Sequence, residues 1–276
     1  MKTVQNSLHP RTLMLGVAAS AWAENLLGAG SCSSRQMFWL GLPSTLALCL
    51  VSALVGTELS DECRRGTLSK LGNFVFGVWF LAELAHTVFT AHTLCRAQFD
   101  SLAVLGLLPL LLLAGWALPT EVFDRSSVVL WGAAALAALL SICGLWGQLR
   151  WQNLYTAAPG STVPLLPIYP EYFAFSLLCP PEEGRRGVWM PLGTLAVQTA
   201  HCLLVALLFG SAEEFVQPGM ELLGAVTLGG VSRFDAVFLL VWLAAALFRV
   251  CVLAKVLCML AGRLSARPPR REEGAA

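Results

Sequence analysis

The chain has 276 residues, of which 57% are hydrophobic and 13% are charged, and its formal net charge at pH 7 is +1. A soluble domain carries about 25% charged residues, so this chain has too few to cover a surface exposed to water. Composition therefore excludes an ordinary soluble protein and predicts a polytopic membrane protein, and the near-zero net charge gives no reason to expect nucleic-acid binding.

The cysteines form no pattern that would indicate a structural framework. There are nine, none forms a CxxC pair, and most lie inside apolar runs, where cysteine behaves as a small hydrophobic residue. The sequence thus predicts neither a zinc site nor a set of disulfides, and we expect no metal and no cofactor. Since GxxxxGK[ST], HExxH and GxSxG motifs are absent as well, the protein is predicted not to be an enzyme.

Eight stretches are apolar over roughly the 20 residues that a helix needs to cross a bilayer. The predicted fold class is all-α, a polytopic membrane protein with about eight transmembrane helices. Segment 212–230 is polar at its start and contains Pro218, which predicts a short interfacial or re-entrant helix before the last span. The predicted spans are 12–29, 36–57, 71–95, 101–118, 127–148, 163–180, 187–210 and 235–262.

The lysines and arginines of the loops predict the orientation, because cytoplasmic loops are enriched in them. With both termini in the cytoplasm, four of these residues lie outside, at Arg35, Arg96, Arg150 and Arg233. Residues 263–276 then form a basic cytoplasmic tail that is predicted to be disordered. Twelve residues lie inside: Lys2, Arg11, Arg64, Arg65, Lys70, Arg125, Arg185, Arg186, Arg263, Arg267, Arg270 and Arg271.

The first predicted span carries Glu24 and Asn25 in its outer half. A carboxylate in lipid is costly unless it faces protein or water. Glu24 therefore either faces a polar site inside the protein or reaches the outer interface, and both interpretations stay open. The small residues of this span, among them Gly16, suit close helix packing or a local unwinding.

The third predicted span places Glu83 and His86 three residues apart, on one face of a helix. Such a pair could relay protons, or it could be a buried polar pair that fixes packing; the second interpretation is the commoner one. Gln198 and His201 repeat the spacing in the seventh span and are predicted to join helices.

A single arginine, Arg249, interrupts the apolar sequence of the last span ahead of Lys255. It lies closer to the inner end, so its side chain is predicted to extend toward the cytoplasmic interface alongside Lys255.

The sixth predicted span is the least regular, with Pro164, Pro167 and Pro170 at three-residue spacing. Proline disfavours the helix interior, so we expect an extended approach and a helix that begins near Pro170, with Glu171 at its positive end. Such a break either borders a cavity, as in secondary transporters, or is simply a long loop before a short helix.

Two segments carry a resemblance to a known family. In IYPEYFAFSLLCPPEEGRRG, 168–187, an aromatic residue and Pro170 precede Glu171 and an aromatic-rich helix, and Pro180 and a basic loop follow. In VQPGMELLGAVTLGGVSRFDAVFLLVW, 216–242, a helix led by Pro218 precedes an Arg-x-acid pair and an apolar helix with a tryptophan. The residues of this second motif are Pro218, Arg233, Asp235 and Trp242. Ser232 and Asp235 also form a capping-box-like helix start.

These segments resemble the spore-germination permease family (GerAB-like B subunits of nutrient germinant receptors), within the amino acid–polyamine–organocation transporter superfamily. The resemblance implies a domain over 1–262, with a first five-helix repeat at 12–148 and an incomplete, inverted second repeat at 163–262. It also implies first and sixth helices that are unwound near their middles, with ligand between them and help from the third and eighth helices. The last two helices of the family are expected to be absent.

The resemblance further implies a multi-pass protein of the cytoplasmic (inner spore) membrane of an endospore-forming bacterium. Its partners would be the lipid bilayer, an A-type membrane subunit and a lipoprotein subunit, and its ligand a small nutrient such as an amino acid. A proton-coupled amino-acid transporter and a non-transporting structural subunit of a sporulation membrane complex are the alternatives. By position, the expected ligand-binding residues are Glu24, Asn25, Glu83, His86, Tyr169 and Glu171.

Overall fold

The structure, a computed structural model, describes residues 10–28, 34–60, 67–156, 168–178, 185–210, 218–226 and 235–265. Within these ranges every regular element is helical, which confirms the predicted all-α class. Short 3₁₀ turns occupy Trp146–Gln148 and Arg185–Trp189. The α-helices are α1 (Pro10–Gly28), α2 (Ser34–Ser60), α3 (Thr67–Phe99), α4 (Ala103–Ala117), α5 (Thr120–Leu145), α6 (Asn153–Thr156), α7 (Glu171–Leu178), α8 (Met190–Phe209), α9 (Pro218–Gly224) and α10 (Asp235–Ser265).

Several of these helices are built to cross a bilayer, which makes the chain a multi-pass membrane protein. Five stretches in the described part of the chain are long and apolar enough, and two shorter apolar helices cover Leu13–Ala23 and Ala103–Ala117. Large apolar side chains such as Trp39, Leu50 and Phe89 are exposed on the outer faces of α2 and α3, where lipid is their natural solvent. The five long stretches are Arg35–Leu54, Lys70–Phe99, Thr120–Gln148, Gly187–Phe209 and Ala236–Ser265.

The sixth predicted span differs most from the expected transmembrane helix. Of residues 163–180 the structure describes 168–178, and α7 covers eight of them. Ile168 and Tyr169 are non-helical, and the Pro170 carbonyl accepts hydrogen bonds from the first turn of α7, from Phe173 N at 2.9 Å and Ala174 N at 3.2 Å. The prolines thus produce a helix that starts next to Pro170, as the sequence predicted.

The first span is not unwound, contrary to what the family resemblance implied. α1 is an unbroken helix from Pro10 to Gly28. Its small residues serve close packing instead, because Gly16 lies against Ser127 of α5 with no room for a side chain. A regular helix keeps its backbone groups bonded within lipid, and this contact gives α1 no reason to open.

The last helix, α10, lies at the centre of the bundle and packs against α3, α4, α1 and α5. α2 forms a second group with α8 and α7, and α7 also touches α1 and α10. The main apolar core joins both groups and includes Val17 of α1, Phe80 of α3, Phe173 of α7 and Leu253 of α10. The short helix α7 therefore lies between α2 and the central helix α10.

Candidate functional site

A buried arginine lies at the middle of the central helix. Arg249 is close to the midpoint of the 31-residue helix α10, and its side chain is 0% exposed. Placing a guanidinium there is costly unless carboxylates accept its hydrogen bonds. The site is built around this requirement.

Two glutamates from different helices surround the guanidinium. Arg249 Nη2 donates to Glu83 Oε1 at 2.5 Å, and Arg249 Nε donates to Glu171 Oε1. Glu171 is 0% exposed, whereas the Glu83 side chain is 19% exposed. We call Glu83, Glu171 and Arg249 the ionic triad; it joins α3, α7 and α10.

The local sequence explains how the two glutamates reach the arginine. Glu83 lies at the midpoint of the 33-residue helix α3, which packs along α10. Glu171 is the first residue of α7, so the non-helical segment before it brings the positive end of a helix dipole to the centre of the bundle. The dipole and the guanidinium both favour an ionised carboxyl at Glu171.

A pair of tyrosines lies beside the triad. The guanidinium of Arg249 is 5.3 Å from the centroid of the Tyr169 ring, within range of a cation–π interaction. The Tyr169 and Tyr172 rings meet edge to face with centroids 5.7 Å apart, and both residues are buried. Together they close one side of the triad with polarisable aromatic surface.

Thr194 of α8 connects this aromatic surface to α1. Its Oγ1 accepts from Trp22 Nε1 at 2.8 Å and from the Tyr172 hydroxyl at 3.0 Å, and donates to Met190 O at 3.1 Å. One hydroxyl thus ties three helices together next to the triad.

Trp242 of α10 makes a further polar link to the first helix. Its Nε1 donates to Ala23 O at 2.7 Å. This is the tryptophan of the motif over 216–242, and the structure gives it a role in joining α10 to α1.

Two buried oxygen atoms at the site have no hydrogen-bond partner among the residues that the structure describes. They are Glu171 Oε2 and the Tyr169 hydroxyl, both buried. Buried polar atoms are normally bonded, so these two are the places where a bound molecule could supply a partner. The same part of the chain contains no cluster of His, Cys, Asp and Glu that could hold a metal ion.

Three of the six predicted ligand-binding residues come together: Glu83, Tyr169 and Glu171. His86 lies on the exposed face of α3, although it is only one turn from Glu83. Glu24 and Asn25 belong to α1, and their side chains lie outside the described residues.

The residues of the two family motifs are distributed differently. Pro170 and Trp242 are buried, beside Glu171 and on α10. Pro218 and Asp235 are the first residues of α9 and α10, with side chains outside the description. Pro180 and Arg233 lie outside the described residues altogether.

The prediction for Arg249 was wrong. The side chain does not extend toward the cytoplasm; it is buried between two carboxylates. The signal was its position, because sixteen residues separate it from the end of α10 at Ser265, about 24 Å along the axis. No arginine side chain spans such a distance, so a partner inside the bundle was required.

Comparison of the chain with models of protein families, with curated proteins and with solved structures finds no match in any of the three.

Proposed function

We propose that the protein is a spore-germination membrane protein of the germinant-receptor permease type, which binds a small nutrient such as an amino acid and signals germination. The observation that carries this proposal is the ionic triad. Ionisable residues near the middle of transmembrane helices are expensive, and they usually mark a ligand or ion site.

The position of the triad supports the proposal through the family resemblance. The resemblance places the ligand among the first, third, sixth and eighth spans, and the triad joins the third, sixth and eighth of the predicted spans. The first span reaches the same region through the Trp22–Thr194 hydrogen bond at 2.8 Å. The short helix α7 and its non-helical approach provide the interrupted span that commonly borders a site in transporters.

The finer architecture belongs to the same proposal. It has eight spans, with α1–α5 as a first repeat and α7–α10 as an incomplete inverted repeat. Both termini are cytoplasmic, in the inner spore membrane, and the partners are an A-type membrane subunit and a lipoprotein. The loop charges and the motifs over 168–187 and 216–242 support this arrangement.

Signalling would follow from competition for Arg249. A nutrient carboxylate that bonds the guanidinium replaces Glu171 as its partner, and α7 then loses its charged contact to α10. A ligand shifts a conformational equilibrium by its difference in affinity for the two states. The state with α7 released would be the signalling state.

The test uses spores of the native host in which other nutrient receptors have been deleted. The gene is removed and replaced by the wild type, Arg249→Gln, Arg249→Lys or the control Arg96→Gln, which alters an exposed arginine near the end of α3. Germination is followed with amino-acid mixtures, and protein abundance in spore membranes is measured in parallel. We expect germination to require the gene and Arg249 but not Arg96. Unchanged germination after gene removal contradicts the proposal.

A proton-coupled amino-acid transporter is the second candidate. Acidic residues inside the membrane are common in coupled transporters, and the half-buried Glu83 and the fully buried Glu171 are such residues. Uptake of labelled amino acids into proteoliposomes separates this candidate from a sensor. Absence of uptake at every imposed pH gradient counts against it, and uptake that survives His86→Gln but not Glu83→Gln assigns the coupling to the triad.

A structural subunit without a ligand is the third candidate, since the triad also locks three helices. It predicts normal germination of spores that carry triad variants which retain the fold. Loss of germination in an Arg249→Lys variant present at wild-type abundance contradicts it.

A further inference from the structure

The charges of the ionic triad do not cancel. Glu83 and Glu171 bring two carboxyl groups to one guanidinium, and both accept a hydrogen bond from Arg249. With both ionised, these three side chains together would carry a net charge of −1. Two carboxylates that share a buried site cannot both ionise readily, and the usual solution is that one keeps its proton.

The two carboxyls are not equivalent. Glu171 and Arg249 are both 0% exposed, so neither charge has water, and each must balance the other. Glu171 also starts α7, where the helix dipole stabilises a negative charge. Glu83 lies in the middle of α3 with no helix end near it, and its side chain is 19% exposed. Glu83 is therefore the carboxyl that keeps a proton.

We propose that the triad is a proton-binding site: Arg249 and Glu171 form the ion pair, and Glu83 carries a proton that exchanges through its exposed edge. The proton site goes beyond the proposed function, because it depends on the charges of three residues and not on which ligand binds. The ligand of this site is a single proton, because two carboxyls and one guanidinium differ by one charge.

The other titratable groups described near Glu83 are two tyrosines and one histidine. Tyr169 and Tyr172, on the segment that contains Glu171, are neutral phenols at neutral pH. His86 lies one turn from Glu83 on the exposed face of α3. Because this imidazole interacts electrostatically with Glu83, a His86→Gln variant belongs in the test.

The experiment is infrared spectroscopy of the full chain in lipid nanodiscs at neutral pH, which separates protonated carboxyl groups from carboxylates. The charges of the triad predict how each variant changes the intensity of the band from protonated carboxyls. Relative to the wild type, Glu83→Gln and Glu171→Gln each lose one carboxyl from the band, because the remaining glutamate pairs with Arg249. Arg249→Gln gains one, since both glutamates are then uncompensated. Arg249→Lys keeps the charge and leaves the band unchanged.

Two control variants and hydrogen–deuterium exchange complete the assignment of the proton to one glutamate. Glu121→Gln, in the exposed first turn of α5, and His86→Gln leave the band unchanged. The band shifts rapidly when the protein is moved into D₂O if the proton is on the partly exposed Glu83, whereas a proton on the sealed Glu171 exchanges slowly. Equal bands in the wild type, Glu83→Gln and Glu171→Gln overturn the proton site. A slowly exchanging band overturns its assignment to Glu83. If Arg249→Gln fails to fold, judged by circular dichroism, the two glutamate variants and Arg249→Lys still decide the question.

Discussion

Arg249 and Glu171, which are 78 residues apart in the sequence, form an ion pair in which neither side chain is exposed to solvent. The pair joins the central helix α10 to the short helix α7, whose eight residues alone offer little surface for packing. Because both charges are out of water, removing Arg249 leaves the Glu171 carboxylate uncompensated.

Replacement of Arg249 tests this coupling. We expect Arg249→Gln to lower the free energy of unfolding by about 3 kcal/mol, the low end for a broken buried pair, because a carboxyl left behind can take up a proton. The loss of stability in Arg249→Lys should be smaller than in Arg249→Gln but not zero. Lysine keeps the charge but lacks the planar guanidinium, which bonds two carboxylates at once. Unfolding by SDS in mixed micelles, followed by circular dichroism, measures the difference.

The matched control is Arg96→Gln, at an exposed position in the last turn of α3. Its effect should stay within about 0.5 kcal/mol, as for most surface substitutions. If Arg249→Gln and Arg96→Gln unfold at the same SDS concentration, the buried pair does not stabilise the fold.

Thr194 provides a second test, because its hydroxyl accepts from both Trp22 and Tyr172. Tyr172→Phe removes one hydrogen bond and should cost about 1 kcal/mol. Thr194→Val removes the acceptor of both the half-buried Trp22 donor and the buried Tyr172 donor and should cost about 2–3 kcal/mol. The same SDS assay applies. In the double variant the two costs should not add, since the Tyr172–Thr194 bond is lost only once; full additivity would show that the bond contributes nothing.

The sequence predicts the helices well because lipid leaves the backbone few options. Polar groups of the backbone must be bonded within the segment, so a long apolar run such as that of α10 is a helix. The helix start beside Pro170 was predictable for the same kind of local reason, since proline fixes its own φ and disfavours a helical conformation in the residue before it. The polar ends of α3, at Lys70 and Arg96, continue the helix beyond its apolar run.

The partners of Arg249 could not be predicted from local patterns. Glu83 is 166 residues from Arg249 in the sequence, and Glu171 is 78 residues from it. The sequence pattern of each helix does not predict which helix faces meet. The sequence predicted that Glu83 and His86 share one face of α3, but it did not show that Glu83 also reaches Arg249 of α10. Pairing across helices is decided by packing, such as the fit of Gly115 against α10, and no periodicity reports it.

Gly115 tests that packing directly. A Cβ there would lie 2.7 Å from the Cys251 carbonyl oxygen and 2.7 Å from the Ala254 Cβ, so α4 and α10 would have to separate. Gly115→Ala should cost about 1–3 kcal/mol, as overpacking usually does. Gly106→Ala, on the same helix but with nothing within 4 Å of the added atom, should be neutral or slightly stabilising because alanine favours the helix. The midpoints of thermal unfolding in lipid nanodiscs distinguish the two variants. Equal midpoints would mean that α4 and α10 do not approach this closely.

Substitution of Trp242 measures how much the contact between α10 and α1 stabilises the fold, separately from the triad. Its Nε1 donates to Ala23 O at 2.7 Å, and its ring is buried beside Ala246. Trp242→Phe keeps an aromatic ring but removes this donor, so we expect a loss of about 1 kcal/mol in the SDS assay. Trp116→Phe alters a tryptophan that is exposed on α4 and should leave stability unchanged within about 0.5 kcal/mol. If both variants lose the same stability, the effect belongs to ring size rather than to the hydrogen bond, and α1 is held to α10 by apolar packing alone.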